Sequence, residues 1–203
     1  MHDIRGKTVA VILGICLFAM GGCASSRSAR FYTLHSLSTS GEHPRGVAAE
    51  QGIAVAVGPV AIPDYLNRPQ IISRSSEREI HLAEFERWAG SLEQDISRVL
   101  AENLSALLSR DHVTVLRLRD VHPFPVQYRI GVDVMRFEGP IGGTVTLAAR
   151  WSLHREEDGK VLSARESIVR EPVEGQDYDA LVAAMSRALA TLSREIAEAI
   201  PAR

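Results

Sequence analysis

Two consecutive segments between residues 128 and 153 have the side-chain alternation of β-strands, and with a third segment that follows a hairpin turn they narrow the choice of fold more than any other feature. Apolar side chains occupy every second position from Tyr128 to Val134 and again from Thr144 to Leu153. A period of two places one face of a strand in the core and leaves the other in solvent. Asp158-Gly159, a dipeptide typical of hairpin turns, precedes a third strand at 161–169. The pattern predicts an antiparallel meander.

Two further segments have the three- and four-residue spacing of apolar side chains that is typical of amphipathic helices. The first helix is predicted from Leu92 to Leu108 and the second from Asp177 to Ile200. Additional strands are predicted at 31–34, 53–60, 70–74, 79–83 and 113–118. The predicted fold class is α/β, a three-layer domain with a mixed sheet that includes the meander and the two long helices.

The N-terminus has the composition of a secretory signal at residues 1–22. Its apolar run, Val9 to Met20, is shorter than the roughly 20 residues that a membrane-spanning helix needs. Gly21 and Gly22 follow, and then Cys23. This order resembles the lipobox of bacterial lipoproteins, whose cysteine takes a diacylglyceryl group and becomes the mature N-terminus. An ordinary cleaved signal peptide and an uncleaved anchor are the alternatives.

The lipobox divides the chain into three parts: a signal peptide at 1–22, the lipidated cysteine and a tether at 23–30, and a single α/β domain at 31–203. Ala24 stands after the cysteine, where an aspartate would mark retention in the inner membrane. By resemblance to Gram-negative lipoproteins, we expect an outer-membrane protein that faces the periplasm.

The sequence contains little that indicates catalysis. A net charge of −2 lacks the basic excess of a nucleic-acid binder. Beyond Cys23 there is no cysteine nucleophile, phosphate loop, HExxH helix or GxSxG elbow. Asp177 and Asp179 could be paired carboxylates, but aspartate at a helix start more often caps the helix. We therefore predict no enzyme, no nucleic-acid partner, no metal, and no cofactor besides the covalent lipid on Cys23.

The segment 58–74 is the candidate for protein recognition. Its three prolines stiffen an apolar loop, and a pre-ordered loop with exposed aromatic and arginine side chains loses little entropy on binding. The alternative is a structural crossover packed on the sheet edge. Trp88, predicted at the start of the first helix, is either an interface anchor or a core residue. The candidate partner-binding residues are Tyr65, Leu66, Asn67, Arg68 and Trp88.

Several short motifs occur in order along the chain: FYTL at 31–34, the proline-rich run at 57–71, RWA at 87–89 and RFE at 136–138. Together they resemble the ABC-type transport auxiliary lipoproteins, the PqiC-like family. The resemblance implies a three-layer α/β fold similar to anticodon-binding and TolB N-terminal domains.

The resemblance also implies a function. We expect a lipoprotein subunit that docks the tunnel of an MCE-type (mammalian cell entry) intermembrane lipid transport system at the outer membrane and contributes to envelope integrity. Its partners would be the MCE-domain protein and the inner-membrane permease, and a tube-shaped partner favours a homo-oligomeric ring. The alternatives are a lipid-binding carrier, with lipid held between helix and sheet, and a hydrolase of envelope material.

Overall fold

The computed structural model describes residues 28–37, 52–109, 113–120 and 125–201. The predicted signal peptide, Cys23 and most of the tether lie outside the described residues. In chain order the elements are β1 (Arg30–Tyr32), β2 (Ile53–Ala61), β3 (Gln70–Arg74), β4 (Ile80–Trp88), α1 (Leu92–Leu107), β5 (Val113–Arg117), β6 (Tyr128–Glu138), β7 (Thr144–Arg155), β8 (Val161–Pro172) and α2 (Tyr178–Ala197).

The strands form two sheets, of five strands in the order β5-β2-β6-β7-β8 and of three strands in the order β1-β4-β3. In the larger sheet β2 runs parallel to β5 and β6, whereas β6, β7 and β8 form an antiparallel meander. This confirms the predicted α/β class with its mixed sheet. The division into two sheets was not predicted. It arises because residues 62–69 separate β3 from β2, so that β3 pairs with β4 instead.

Both helices pack on one face of the five-stranded sheet and against each other. Alternate residues of β7, among them Leu147 and Leu153, point into this interface and are fully buried. Their neighbours along the strand point to the opposite face, which we call the outer face. The helix spacings predicted from the sequence are confirmed, because their apolar positions supply the rest of the core: Leu92, Ile96, Val99, Leu100, Leu104, Leu181, Met185, Leu189, Leu192 and Ile196.

Strand β2 continues through the Gly58-Pro59 pair. The register against β6 shifts between Val57 and Val60, so a bulge accommodates the proline, which has no N–H to donate. Gly58 has φ +132°, and a Cβ there would lie 3.0 Å from Cβ of Leu118. The position therefore requires glycine.

Trp88 does not lie at the start of a helix, so the sequence-based prediction of its position is wrong. It ends β4, opposite Tyr32 of β1, and its N–H donates to the Pro69 carbonyl at 2.8 Å. Helix α1 starts later because Ser91 is its N-cap, accepting a hydrogen bond from the backbone N–H of Gln94. Trp88 is 5% exposed and belongs to the core, as one of the two interpretations held.

Candidate partner-binding site

Residues 62–69 connect β2 to β3 in a compact turn. The Leu66 N–H donates to the Pro63 carbonyl and the Arg68 N–H to the Leu66 carbonyl, each at 2.9 Å. The Leu66 side chain is 2% exposed and anchors the turn in the core. Together with the bond between Trp88 and Pro69, these contacts hold the loop in one conformation. The loop is rigid as expected, but hydrogen bonds and the burial of Leu66 contribute to that rigidity in addition to the prolines.

A buried carboxylate clamps this loop to the large sheet. Glu138, at the end of β6, is completely buried on the outer face. Its Oε2 accepts from the Tyr65 hydroxyl at 2.8 Å and from the Phe137 N–H at 3.0 Å. Its Oε1 accepts from Nε of Arg74 at 2.7 Å and from Nε of Arg136 at 2.9 Å. We call Glu138, Tyr65, Arg74 and Arg136 the Glu138 cluster.

The electrostatics of the Glu138 cluster fit a structural role. Burial raises the pKa of the Tyr65 hydroxyl well above its usual range, and the hydrogen bond to Glu138 and the negative charge of that carboxylate raise it further. The hydrogen bond to Glu138 raises the pKa of Arg74. Tyr65 therefore stays neutral as a donor. Two arginines surround one carboxylate that no solvent reaches, so the cluster holds the loop in place.

The five predicted partner-binding residues have different environments. Tyr65 is half-buried and bonded to Glu138, while Leu66 and Trp88 are core residues whose side chains a partner does not reach in this structure. Asn67 is exposed and Arg68 partly exposed. The loop thus brings Tyr65–Arg68 together, and the hydrogen bond between Pro69 and Trp88 joins them to Trp88. Of the five predicted residues, only Asn67 and Arg68 are accessible to a partner.

Two residues that the sequence analysis did not single out extend this surface. Phe31 of β1, 65% exposed, lies in register with Arg87 of β4. Arg87 lies in turn opposite Gln70 of β3, close in sequence to Arg68. We call Phe31, Asn67, Arg68 and Arg87 the docking surface. Phe31 belongs to the FYTL motif and Arg87 to the RWA motif, and these motifs were the sequence signal that could have identified both residues.

The arginines of the docking surface have unused hydrogen-bonding capacity. Nε of Arg68 and Nε of Arg87 are buried, and neither has a hydrogen-bond partner among the described residues. Leaving a buried donor unpaired costs about 1–3 kcal/mol. A partner's carboxylate would have to bind the other nitrogens of each guanidinium, because the two Nε atoms are buried. The docking surface therefore combines an exposed aromatic ring with two groups that attract acidic side chains.

A protein family accounts for this architecture. The model of a family described as the ABC-type transport auxiliary lipoprotein component matches residues 32–197. The chain belongs to this family. The matched range begins at the last residue of β1 and ends with α2, so it contains the whole five-stranded sheet, the Glu138 cluster and the docking surface except Phe31.

Named relatives and solved structures agree with this membership. The intermembrane transport lipoprotein PqiC of Escherichia coli K12 is 25% identical over 190 residues, which cover 91% of this chain and 96% of PqiC. A solved structure of an uncharacterised protein is 23% identical, with a TM-score of 0.70 over 86% of this chain and 100% of its own. A Xanthomonas campestris protein is 20% identical, with a TM-score of 0.64 over 83% and 93%. Both structures have the same fold.

Two cavities among the described residues lie outside the helix–sheet interface. The lipid-carrier alternative had placed the lipid inside that interface. One is a groove of about 540 Å³ on the outer face, floored by small residues including Ala61, Gly131 and Ala164. The other, of about 350 Å³, lies between β1 and the start of α2.

Among the described residues, no cluster of three or more His, Cys, Asp or Glu side chains is placed to hold a metal ion. No described helix is long and apolar enough to cross a bilayer.

Proposed function

We propose that this protein is an outer-membrane-anchored, periplasm-facing subunit of an MCE-type intermembrane lipid transport system. It docks the transport tunnel at the outer membrane and thereby contributes to envelope integrity. Family membership supports an auxiliary, non-enzymatic role in transport, and the relative named PqiC supports intermembrane transport. The observation that supports the docking role is the loop 62–69, which the buried Glu138 holds in place with Asn67 exposed and Arg68 partly exposed at its surface.

The anchor in this proposal is covalent. A diacylglyceryl group on Cys23 would hold the domain at the membrane, since each buried methylene contributes about 0.8 kcal/mol and two or more chains give stable anchoring. The tether from Cys23 to Arg30 is short, so the domain stays close to the lipid surface. The sequence has no phosphate-binding loop, and energy for transport would come from the inner-membrane permease.

Docking would use the rigidity of the loop. Because the loop is already ordered by Glu138, Leu66 and Pro69, little conformational entropy is lost when a partner binds. Carboxylates of the MCE-domain protein would pair with Arg68 and Arg87, and an apolar side chain would cover Phe31. Several copies arranged as a ring would match a tube-shaped partner of cyclic symmetry.

The test is a pull-down of the MCE-domain protein with the full-length lipoprotein. Arg68→Glu should lower recovery of the partner at least tenfold, because it repels the carboxylates that Arg68 is proposed to bind. Arg78→Glu is the matched control, since Arg78 is an exposed arginine of the β3–β4 turn, outside the docking surface. Thermal unfolding of both variants checks that the fold is intact. Equal recovery with both variants would remove the docking surface from the interface.

The lipid-carrier alternative has one observation in its favour, the groove on the outer face. Its volume of about 540 Å³ lies within the size range of ligand sites, and its floor of small residues would accept an acyl chain. Native mass spectrometry of the purified lipoprotein would detect a bound lipid. A carrier should lose that lipid in Ala164→Trp, which fills the groove, whereas a docking subunit should carry none in either form.

A further inference from the structure

Strand β1 is an edge of the three-stranded sheet, and a cavity runs beside it. The strand order is β1-β4-β3, so β1 pairs with β4 on one side and with no described strand on the other. The cavity of about 350 Å³ has residues 30–33 on one wall and Asp179, Val182 and Ala183 of α2 on the other. Side chains of consecutive strand residues alternate between two faces, so a cavity that touches four residues in a row lies along the edge of the strand. We call it the β1 cavity.

Two residues direct unpaired backbone groups toward the β1 cavity. The Tyr32 carbonyl accepts from the Ala89 N–H at 2.9 Å, so the backbone groups of Tyr32 face β4. Successive residues of an extended strand direct these groups to opposite sides, which turns those of Phe31 and Thr33 toward the open edge. No backbone group of the described residues hydrogen-bonds to them there. An edge of this kind can template a further strand.

The two walls of the β1 cavity carry charges that are free to bind a ligand. Asp179 is exposed on the first turn of α2 and has no ion pair with another described residue. Arg30 lies over the Tyr32 ring at 5.3 Å and also has no ion pair in the described part of the chain. A cavity with one carboxylate, one guanidinium and unpaired backbone groups favours a polypeptide over an acyl chain, because a polypeptide can satisfy all of them.

The β1 cavity is continuous with the docking surface. Phe31 belongs to both, since it lines the cavity and its ring is 65% exposed. A partner that covers Phe31 therefore reaches the open edge of β1 at the same residue. The charges of the two regions differ, because the docking surface presents Arg68 and Arg87 whereas the α2 wall of the cavity presents Asp179.

We infer that the β1 cavity receives an extended segment of the docking partner, which adds a strand next to β1 and places a basic side chain opposite Asp179. Main-chain hydrogen bonds to Phe31 and Thr33 supply affinity, and the charge of Asp179 supplies selectivity. The inference rests on the proposed function, because it takes the MCE-domain protein as the partner, and it specifies how that partner is held.

Filling the β1 cavity tests the inference. The affinity of the full-length lipoprotein in mild detergent for the MCE-domain protein is measured by biolayer interferometry. Ala183→Trp introduces a large ring at an exposed position of the cavity wall and should weaken binding at least tenfold. Arg194→Trp is the matched control, because Arg194 is exposed on the same helix about three turns later. Thermal unfolding checks that both variants are folded.

The outcomes separate this inference from the proposed function. If Ala183→Trp binds the partner as tightly as Arg194→Trp while Arg68→Glu loses binding, the docking role stands and the added strand is wrong. If the unmodified lipoprotein does not bind the MCE-domain protein, both are wrong. Light scattering follows the mass of the lipoprotein alone. A mass that falls in Ala183→Trp without weaker partner binding would assign the β1 cavity to a second copy and overturn the inference.

A backbone substitution tests the added strand itself. Thr33→Pro removes the N–H that faces the β1 cavity, and the extended Tyr32 before it tolerates a following proline. It should weaken partner binding at least threefold, because a hydrogen bond to the partner is lost. Thr33→Val keeps the N–H with a side chain of similar shape and should bind within twofold of the unmodified protein. Equal affinities of the two variants would contradict main-chain pairing.

The charge of Asp179 gives a test that does not depend on the proline variant being folded. Asp179→Lys should weaken partner binding at least threefold, because it repels the basic side chain of the segment. Asp133→Lys is the control, since Asp133 is an exposed carboxylate of β6 on the outer face, away from the β1 cavity. Equal binding by these two variants would contradict the basic residue in the partner segment.

Discussion

At the scale of single residues, Glu138 shows how a charge can be completely buried. A carboxylate without partners would be expelled from the core, because desolvation of an isolated charge is very costly. Here two guanidinium groups, a hydroxyl and a backbone N–H occupy its oxygens. Unbroken alternation from Ile130 and Val132 would place Glu138 on the helix face, but the register shift between Val134 and Arg136 turns it to the outer face, opposite Thr146. Only the loop that folds over it makes it a core residue.

Replacing Glu138 by Gln should destabilise the protein strongly. The substitution preserves the shape but replaces one acceptor oxygen by an NH₂ donor that faces other donors, and an unpaired buried hydrogen-bonding group costs about 1–3 kcal/mol. Urea unfolding followed by circular dichroism measures the change. Glu156→Gln is the control, because the ion pair of Glu156 with Arg129 is solvent-exposed and is worth about 1 kcal/mol or less. Similar losses in the two variants would show that the Glu138 cluster does not stabilise the fold.

Tyr65 should make stability depend on alkaline pH. Its pKa is higher in the folded protein than in the unfolded chain, first through burial and then through Glu138. Its contribution is therefore complete below the unfolded pKa of about 10 and is lost as the pH rises beyond it. Urea midpoints between pH 8 and 11.5 should fall more steeply for the natural protein than for Tyr65→Phe. The slope left in the variant comes from Tyr32 and Tyr178, whose pKa values burial also raises. Parallel curves would contradict this assignment.

At the scale of elements, both helices follow from their apolar spacing and their caps. Asp177 is the N-cap of α2, and its Oδ1 accepts from the Ala180 N–H at 2.9 Å. Asp177 and Asp179 had been interpreted either as paired carboxylates or as residues of a helix start. The structure shows the second, with Asp177 as the N-cap and Asp179 in the first turn. Each predicted strand overlaps an observed strand, but Trp88 was predicted at a helix start and in fact ends β4. An aromatic residue shortly before a helix fits a helix start as well as a strand end, and pairing with β1 decides between them.

Removing the N-cap of α2 should have a cost typical of such positions. Asp177→Ala should lower the free energy of unfolding by about 0.5–2 kcal/mol, because the Ala180 N–H loses its acceptor. Asp177→Asn keeps an acceptor in the same place and should lose much less. Denaturant unfolding of the two variants side by side measures the difference. If the two variants lose the same amount, the hydrogen bond is not the source of the stability.

At the scale of the whole molecule, the anchor and the domain have separate physical origins. The predicted lipobox at 20–23 and most of the tether lie outside the described residues, and the family match begins only at residue 32. The membrane location therefore remains a prediction from the N-terminal sequence. The domain is stabilised without disulfides, because both cysteines precede it in the sequence. Its hydrophobic core is continuous across the helices and both sheets.

Changing Cys23 to Ser should release the protein from the membrane. Without the thiol no thioether to lipid forms, so the acyl chains that would hold the domain at the membrane are missing. Fractionation of cells, with detection in the soluble periplasmic and membrane fractions, measures this. Ala24→Asp is the companion variant, which should keep the lipid but move the protein from the outer to the inner membrane. A Cys23→Ser protein that stays in the membrane would contradict lipid anchoring.

By itself the sequence determined the helices, the meander and the family and predicted the lipobox, because these depend on local periodicity and short motifs along the chain. The tertiary structure decided which side chains of the loop 62–69 are accessible, why Glu138 can be buried, and which strand edge stays open. These properties depend on contacts between residues far apart in the chain, such as Tyr65 with Glu138 and Arg87 with Gln70. No local pattern specifies such contacts, since burial is a property of the packed molecule.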